Sequence, residues 1–224
     1  MRGLRNKIGI VAGGGRGIGA ATARRLAEEG AAVVIGDIMA DWAEIVATAS
    51  REFGGLDFYH TNLAGGTDGG VDALNCAVDG LETSFAINAK SHFLATQAAL
   101  PLLLARGGGA MIYTSSGAAS GGAPWQVAYP MAKNAIHALA RHVASRWGKD
   151  GIRANVICPG LVLTEAVKQH LTAEYVERGL KAVPHRRLGQ PEDIAAMVAF
   201  LASDDGIWIN GQVYHVNGGA QMRD

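Results

Sequence analysis

A chain of 224 residues with 49% hydrophobic content is long enough to bury one sizeable core, so we expect a single domain spanning residues 1–224. Its 20 basic and 20 acidic side chains are interspersed and give a formal net charge of zero, which argues against a basic surface for nucleic acid or an anionic membrane. No apolar run reaches membrane-spanning length, and residues 1–7 carry no apolar signal core, so we expect a cytoplasmic protein.

The first predicted elements are a buried strand at residues 8–11, a glycine-rich turn at 12–19 and a helix behind it. This order is typical of a dinucleotide site, because the free N–H groups and the positive dipole end of the helix favour a pyrophosphate. Gly13 can adopt backbone angles that other residues avoid, and Gly17 places no side chain between the backbone and a ligand. Gly19 lets the helix lie close to the strand. An ordinary glycine loop is the alternative. The expected cofactor contacts here are Gly13, Gly15, Arg16, Gly17, Ile18 and Gly19.

A second buried strand at residues 32–36 ends at Asp37, which lies 18 residues beyond Gly19. An acid near this position binds the ribose hydroxyls of the adenosine half of a dinucleotide. It favours NAD, because a carboxylate repels the extra phosphate of NADP. Arg16 argues the other way, since its guanidinium could pair with that phosphate. We expect NAD, with NADP as the less favoured cofactor.

The rest of the chain alternates helices with strands, which predicts an α/β fold with a Rossmann-like, doubly wound parallel sheet flanked by helices. Ligands bind at the C-terminal ends of the strands in such sheets. The predicted helices are 41–53, 81–105, 127–147, a flap at 164–181, and 191–203, and the predicted strands are 56–61, 110–114, 152–158 and 212–216. Cys76 and Cys158 lack the spacing of metal ligands, so we expect reduced thiols and no metal site.

Three side chains form a candidate catalytic group. Tyr129 and Lys133 are four residues apart on a predicted helix, so they lie on one face. A phenol is a poor base at neutral pH, but a nearby ammonium favours the phenolate. Ser116, at the end of the preceding strand, is placed to bind a substrate oxygen. Taken alone, this spacing also occurs on many helices as packing and surface residues.

The chain resembles the short-chain dehydrogenase/reductase family over nearly its whole length. The matching motifs are the glycine motif at 12–19, residues 62–65 for its Asn-Asn-Ala-Gly stretch, Asn88 for its helix asparagine, Ser116 with YPMAK at 129–133 for its Ser and YxxxK elements, Pro159-Gly160 followed by Thr164, 187–193, and Gly218-Gly219. Enoyl reductases of similar fold place the lysine farther beyond the tyrosine, and related sugar epimerases carry a longer C-terminal substrate domain.

The resemblance implies hydride transfer between a nicotinamide cofactor and a small secondary alcohol or ketone. It implies that Tyr129 is the general acid/base, that Lys133 lowers its pKa and holds the nicotinamide ribose, and that Ser116 orients the substrate. Asn88 would hold a water that links Lys133 to solvent; bonding to its own helix backbone is the alternative. Further implied cofactor contacts are Asn62, Ala64, Gly65, Tyr129, Lys133, Pro159, Gly160, Val162 and Thr164. A homotetramer, or a homodimer built on the helices from Leu81 and Val127, is also implied.

One departure from the family is local. Only 25 positions separate Asp37 from Asn62, too few for the additional strand and helix of the family. The missing strand is the third, which lies at the sheet edge in the order 3-2-1-4-5-6. We therefore expect a sheet without it, a new exposed edge at the second strand, and weaker adenine binding. A nucleotide-binding relative with weak or no catalytic activity is the alternative function.

Overall fold

The protein forms one six-stranded parallel sheet in a computed structural model that describes residues 1–36, 41–65, 70–169 and 172–222. The strand order is β2-β1-β3-β4-β5-β6, and every neighbouring pair is parallel. The strands are β1 (Ile8–Ala12), β2 (Ala32–Gly36), β3 (Phe58–Thr61), β4 (Gly109–Thr114), β5 (Ile152–Pro159) and β6 (Val213–Val216). The predicted Rossmann-like parallel sheet is confirmed.

Helices cover both faces of this sheet. They are α1 (Gly17–Glu28), α2 (Trp42–Phe53), α3 (Val78–Phe85), α4 (Ser91–Ala105), α5 (Ala128–Trp147), α6 (Glu165–Lys168), α7 (Ala173–Ala182) and α8 (Pro191–Ala202). Successive strand residues point to opposite faces, so Ile10 packs against α2, α4 and α5 while Val11 packs against α1 and α8. Both faces of the inner strands β1, β3, β4 and β5 are therefore buried, which explains their largely apolar sequences. The edge strands β2 and β6 are only partly buried, so the expectation of a buried strand at residues 32–36 is wrong for all but Gly36.

The predicted loss of the third strand is confirmed. In the described part of the chain, no strand pairs with the outer side of β2, and Ile35 on this edge strand is 55% exposed. Helix α2 replaces the missing segment by running directly from β2 to β3. Asp41 begins it by accepting a hydrogen bond from the Ala43 backbone N–H at 2.9 Å, and Gly54 ends it with a φ of 84°. With α1 and α2 on opposite faces, both crossovers keep the right-handed sense that parallel strands require.

Two predicted helices differ in detail from the structure. The helix predicted at 81–105 begins at Val78 and contains a π-helical turn, Ala86–Lys90, between α3 and α4. The flap predicted at 164–181 is two helices, α6 and α7. Thr164 caps the first helix, and Thr172 caps the second by accepting from the Tyr175 backbone N–H at 3.2 Å. The apolar pattern of residues 164–181 predicted one helix because it does not reveal the second N-terminal cap at Thr172. Among the described residues, no helix is both long and apolar enough to cross a bilayer.

Buried histidines make the stability of this fold dependent on pH. His60 in β3 is fully buried, and burial lowers its pKa to about 3. In the unfolded chain His60 becomes protonated as the pH falls below about 6.5, whereas in the folded chain it stays neutral down to about pH 3. The unfolded state therefore binds more protons in this range, and the free energy of unfolding decreases as the pH falls below about 6.5. We expect His60 alone to contribute about 2 kcal/mol of lost stability between about pH 7 and pH 5. Urea unfolding of the wild type and of His60→Gln at both pH values tests this, and an equal pH dependence would contradict it.

Candidate active site

A cavity of about 650 Å³ opens at the C-terminal ends of the central strands. This is the edge where parallel α/β sheets bind ligands. The sequence-predicted residues that line it are Gly13, Arg16, Gly17, Ile18, Asn62, Ala64, Ser116, Tyr129, Lys133, Pro159, Gly160, Val162 and Thr164. The fold therefore brings most of the candidate catalytic and cofactor residues, which are far apart in sequence, around one space.

Four candidate residues lie outside this lining. Gly15 is exposed, Gly65 follows the lining residue Ala64, and Gly19 and Asn88 are buried. A Cβ at Gly19 would overlap the carbonyl oxygen of Gly13, so Gly19 allows α1 to pack against the turn, as its predicted role requires. Asp37, the candidate for cofactor choice, lies outside the described residues.

The glycine turn and the start of α1 form a cradle for an anionic ligand. Gly13 has a φ of 76°, and its N–H donates to the Gly36 carbonyl at 2.8 Å. A Cβ at Gly17 would lie 3.1 Å from Thr164 Cγ2, so a side chain there would narrow the gap across the cavity. Among the described residues, no side chain caps the first turn of α1. Its N–H groups thus remain available, and the site fits the pyrophosphate of a dinucleotide.

Lys133 is held in place by backbone carbonyls. Its ammonium donates to the Leu63 carbonyl at 2.7 Å and to the Thr114 carbonyl at 3.1 Å, and it lies 5.9 Å from the centre of the Tyr129 ring. The side chain is 1% exposed, and burial lowers its pKa to about 7. An ammonium has three N–H donors, so two hold the side chain and one remains for a ligand in the cavity.

The pKa of the Tyr129 phenol is raised above its ordinary value. Burial is the main cause, and a hydrogen bond with the Ser116 hydroxyl opposes it. The resemblance implies that Lys133 lowers this pKa, and that role stays a prediction; the net shift of the Tyr129 pKa is upward. The reason is that burial of Tyr129 disfavours its own phenolate form, and burial also lowers the pKa of Lys133, to about 7. Ser116 and Tyr129 are nevertheless in contact, as one substrate oxygen bound by both would require.

Asn88 lies within the π-helical turn and fixes the loop after β3. Its amide Nδ2 donates to the Gly65 carbonyl at 2.7 Å and to the Ser84 carbonyl at 3.1 Å, and its Oδ1 accepts from the Gly65 N–H at 3.3 Å. The bond to Ser84 is the helix-backbone contact expected from the alternative interpretation. The two bonds to Gly65 were not anticipated, and they attach the loop to the helix. Single π-helical turns within α-helices often occur near functional sites.

Some residues at the site were missed by the sequence reasoning. Leu63 and Thr114 act through backbone carbonyls, and main-chain groups leave no composition signal. His92 is the third, because its Nε2 reaches the same Leu63 carbonyl at 3.1 Å. The available signal was its position four residues beyond Asn88, which places both on one face of a regular helix. Within the described ranges, no cluster of three potential metal-binding side chains occurs.

Known proteins agree with this architecture. A family model described as "Enoyl-(Acyl carrier protein) reductase" matches residues 38–221. An uncharacterized oxidoreductase of Mycobacterium tuberculosis is 34% identical over 251 positions, covering 97% of this chain and 98% of its own. The 7α-hydroxysteroid dehydrogenase of Escherichia coli K12 is 32% identical over 243 positions, covering 96% and 94%. Both alignments are longer than 224 residues, so they open gaps in this chain, as a missing strand requires.

A solved structure shows the same fold. A 7α-hydroxysteroid dehydrogenase complexed with NADH and 7-oxo glycochenodeoxycholic acid superposes with a TM-score of 0.88 at 30% identity, covering 96% of this chain and 95% of its own. The family match, the relatives and the parallel sheet with its cavity point to one conclusion. This chain belongs to the short-chain dehydrogenase/reductase family and is a nicotinamide-dependent oxidoreductase that acts on hydroxyl or keto groups.

Proposed function

We propose that this protein interconverts a secondary alcohol and a ketone, with NAD as the preferred cofactor and Tyr129 as the general acid/base. The observation that carries the proposal is the meeting of Ser116, Tyr129 and Lys133 along one cavity that also contains the uncapped start of α1. A nucleotide-binding relative without turnover is the alternative. Spectrophotometric assays of the wild type with a panel of ketones and secondary alcohols decide between the two.

The chain's own residues supply binding and proton transfer, while a bound nicotinamide cofactor supplies or accepts the hydride. The Ser116 and Tyr129 hydroxyls bind the substrate oxygen from one side. In the reducing direction, the phenol of Tyr129 gives its proton to that oxygen. The ammonium of Lys133 stabilises the phenolate that remains, and in the oxidising direction the same phenolate takes the proton back.

The cofactor-holding residues follow the length of the cavity. The turn at Gly13 and Gly17, with the first N–H groups of α1, would hold the pyrophosphate. The remaining donor of Lys133 would hold the nicotinamide ribose, and residues 159–164 would flank the nicotinamide. Asn62 and Ala64 border the same space. Weaker adenine binding, expected from the missing strand, stays a prediction that titration with NADH tests, and ordinary tight affinity would contradict it.

Cofactor choice should depend on Asp37 and Arg16. We expect the wild type to have at least about tenfold higher kcat/KM with NAD than with NADP, because a carboxylate beyond β2 repels the extra phosphate. Asp37→Ala should reduce that ratio by about tenfold, whereas Arg16→Ala should leave it unchanged or increase it. Steady-state kinetics with both cofactors measure the ratio. A wild type that prefers NADP, and loses that preference in Arg16→Ala, would reverse the assignment.

The substrate panel should begin with the chemistry of the relatives. The structural relative was solved with a 7-oxo bile acid, so 7-oxo glycochenodeoxycholic acid and its 7-hydroxy counterpart are the first compounds to assay. The cavity volume of about 650 Å³ lies within the range usual for small-molecule sites, about 300–1,000 Å³. The description of the family model names an enoyl reductase. We favour alcohol and ketone chemistry because Lys133 lies only four positions beyond Tyr129, whereas enoyl reductases of similar fold place the lysine farther along the chain.

We also propose a homotetramer or a homodimer. An apolar groove between the π-helical turn, α4 and α5 is lined by Ala89, Lys90, Phe93, Ala135, Ile136 and Leu139. Phe93 is 48% exposed there, and Trp208, in the turn before β6, is 96% exposed. Large exposed aromatic side chains are typical of interfaces. Sedimentation equilibrium measures the mass in solution, and a monomer at micromolar concentration would contradict the proposal.

A further inference from the structure

The Leu63 carbonyl is shared by two buried nitrogen donors. Lys133 Nζ lies 2.7 Å from it, and His92 Nε2 lies 3.1 Å from it. The other ring nitrogen of His92, Nδ1, lies 2.7 Å from Thr61 Oγ1. A carbonyl only accepts, so Nε2 must carry the proton, and Nδ1 then accepts from the Thr61 hydroxyl. The chemistry of the two partners therefore fixes the tautomer of His92.

The segment that carries this carbonyl is attached to the core by the Asn62 N–H, which donates to the Ala12 carbonyl at 2.8 Å, and by the buried Leu63 side chain, but neither contact binds the Leu63 carbonyl itself. It lies in the loop 62–65, between β3 and the undescribed residues 66–69. Asn88 holds Gly65, and His92 holds Leu63. These two side chains lie on either side of the end of the π-helical turn, Ala86–Lys90, so one helix attaches the loop at two points. His92 is the attachment nearer to Lys133.

We propose that His92 is a positioning residue that keeps the Leu63 carbonyl directed at the Lys133 ammonium. The inference rests on the proposed function only for its catalytic consequence. Without the His92 N–H, the Leu63 carbonyl is less firmly directed at the ammonium, and the bond between Lys133 and its closest acceptor weakens. Lys133 would then depend more on the Thr114 carbonyl in a fully buried site. Burial already disfavours its charged form, so a weakened acceptor should make it a weaker partner for Tyr129.

The charged and titratable neighbours of this group are few. Lys133 faces Tyr129 on its own helix, Cys158 on β5 and His92 on α4. His92 faces Lys133, His60 on β3 and the ring of Tyr113 on β4, at 6.4 Å between ring centres. Burial lowers the pKa of both His60 and His92, so both are neutral near pH 7. Lys133 is therefore the cation of this group, and its acceptors decide how readily it stays protonated.

The direct test is the titration of Lys133 in the cofactor-free protein, followed through its ¹³Cε chemical shift and assigned with Lys133→Met. His92→Phe should lower the pKa of Lys133 by at least about half a unit, because the ring keeps its volume but cannot donate. His92→Gln, whose amide can donate to Leu63, should restore most of the wild-type value. Tyr113→Phe is the matched control, because it removes a nearby buried hydroxyl that is bonded to Thr96. The pKa of Lys133 in this variant should equal the wild-type value.

Each outcome is decisive for His92. Equal Lys133 titrations in His92→Phe and wild type, or equal shifts in His92→Phe and His92→Gln, would overturn the proposal. Should His92→Phe fail to fold, Thr61→Val decides. Without the Thr61 hydroxyl, Nδ1 of His92 loses its hydrogen-bond donor, so the tautomer with the proton on Nε2 is less strongly favoured. The pKa of Lys133 should then fall, as in His92→Phe but by a smaller amount. An unchanged Lys133 pKa in Thr61→Val would overturn the proposal.

Kinetics add a second readout for the catalytic consequence. In alcohol oxidation the midpoint of the kcat–pH profile should move to higher pH in His92→Phe, because a weaker ammonium leaves the phenol harder to ionise. The Lys133 titration needs no turnover. A wild type without turnover would therefore count against the proposed function, while the titration would still judge the role of His92. If His92→Phe shifts the pKa of Lys133 but leaves the midpoint of the kcat–pH profile unchanged, Lys133 does not control the ionisation of Tyr129.

Discussion

Tyr129→Phe should lower kcat by about a thousandfold while cofactor affinity changes by less than about threefold, since positioned acid/base groups contribute roughly 10²–10⁴ in rate. The substitution removes only the hydroxyl that contacts Ser116. The glycine turn, the start of α1 and the remaining Lys133 donor are left intact, and these are the groups that we expect to hold the cofactor. Steady-state kinetics and NADH titration by fluorescence provide the two measurements.

Tyr175→Phe is the matched control for this substitution. Tyr175 lies on α7 and is 50% exposed, so loss of its hydroxyl should change neither rate nor binding. Circular dichroism establishes whether both variants are folded. Turnover by Tyr129→Phe at the wild-type rate would remove Tyr129 from its proposed role, even if the fold and the cofactor site remain as described.

Gly19→Ala should cost about 3 kcal/mol or more in the free energy of unfolding and weaken cofactor binding by at least about tenfold. The added Cβ would overlap the carbonyl oxygen of Gly13, a backbone atom that no rotamer change can move. Relief requires α1 to shift away from the turn. Its first N–H groups would then no longer lie where we expect the pyrophosphate to bind.

Gly122→Ala serves as the comparison for Gly19→Ala. The position is exposed and a Cβ there meets nothing within 4 Å, so we expect a change within about 0.5 kcal/mol. Chemical denaturation measures both variants, and NADH titration follows binding. Wild-type stability and wild-type NADH affinity in Gly19→Ala would show that the close packing of turn and helix is not required for the site.

The sequence was sufficient for features that depend on local pattern or on counting. Apolar runs bounded by glycine predicted the strands, and the close approach at Gly19 followed from the fingerprint of the turn. The short interval between Asp37 and Asn62 predicted an absent strand, and the structure places β2 at the sheet edge. These features need only neighbouring residues and known chain geometry, so no tertiary contact had to be known in advance.

The features that could not be predicted depend on backbone detail or on distant contacts. The π-helical turn at Ala86–Lys90 differs from an α-helix by one register step, and its composition does not signal that step. The carbonyl at Leu63 binds Lys133 across 70 sequence positions, and only the folded loop brings them together. The raised pKa of Tyr129 also required the structure, because burial depends on packing from several elements at once.

We expect the protein to transfer a hydride directly between a nicotinamide and a carbonyl carbon in this cavity. The most direct test incubates the wild type with NADH deuterated at nicotinamide C4 and with 7-oxo glycochenodeoxycholic acid or cyclic ketones, and then examines the products by mass spectrometry. We predict deuterium on the new carbinol carbon and a solvent proton on its oxygen. Binding of NADH without transfer of deuterium to any of these ketones would contradict the account.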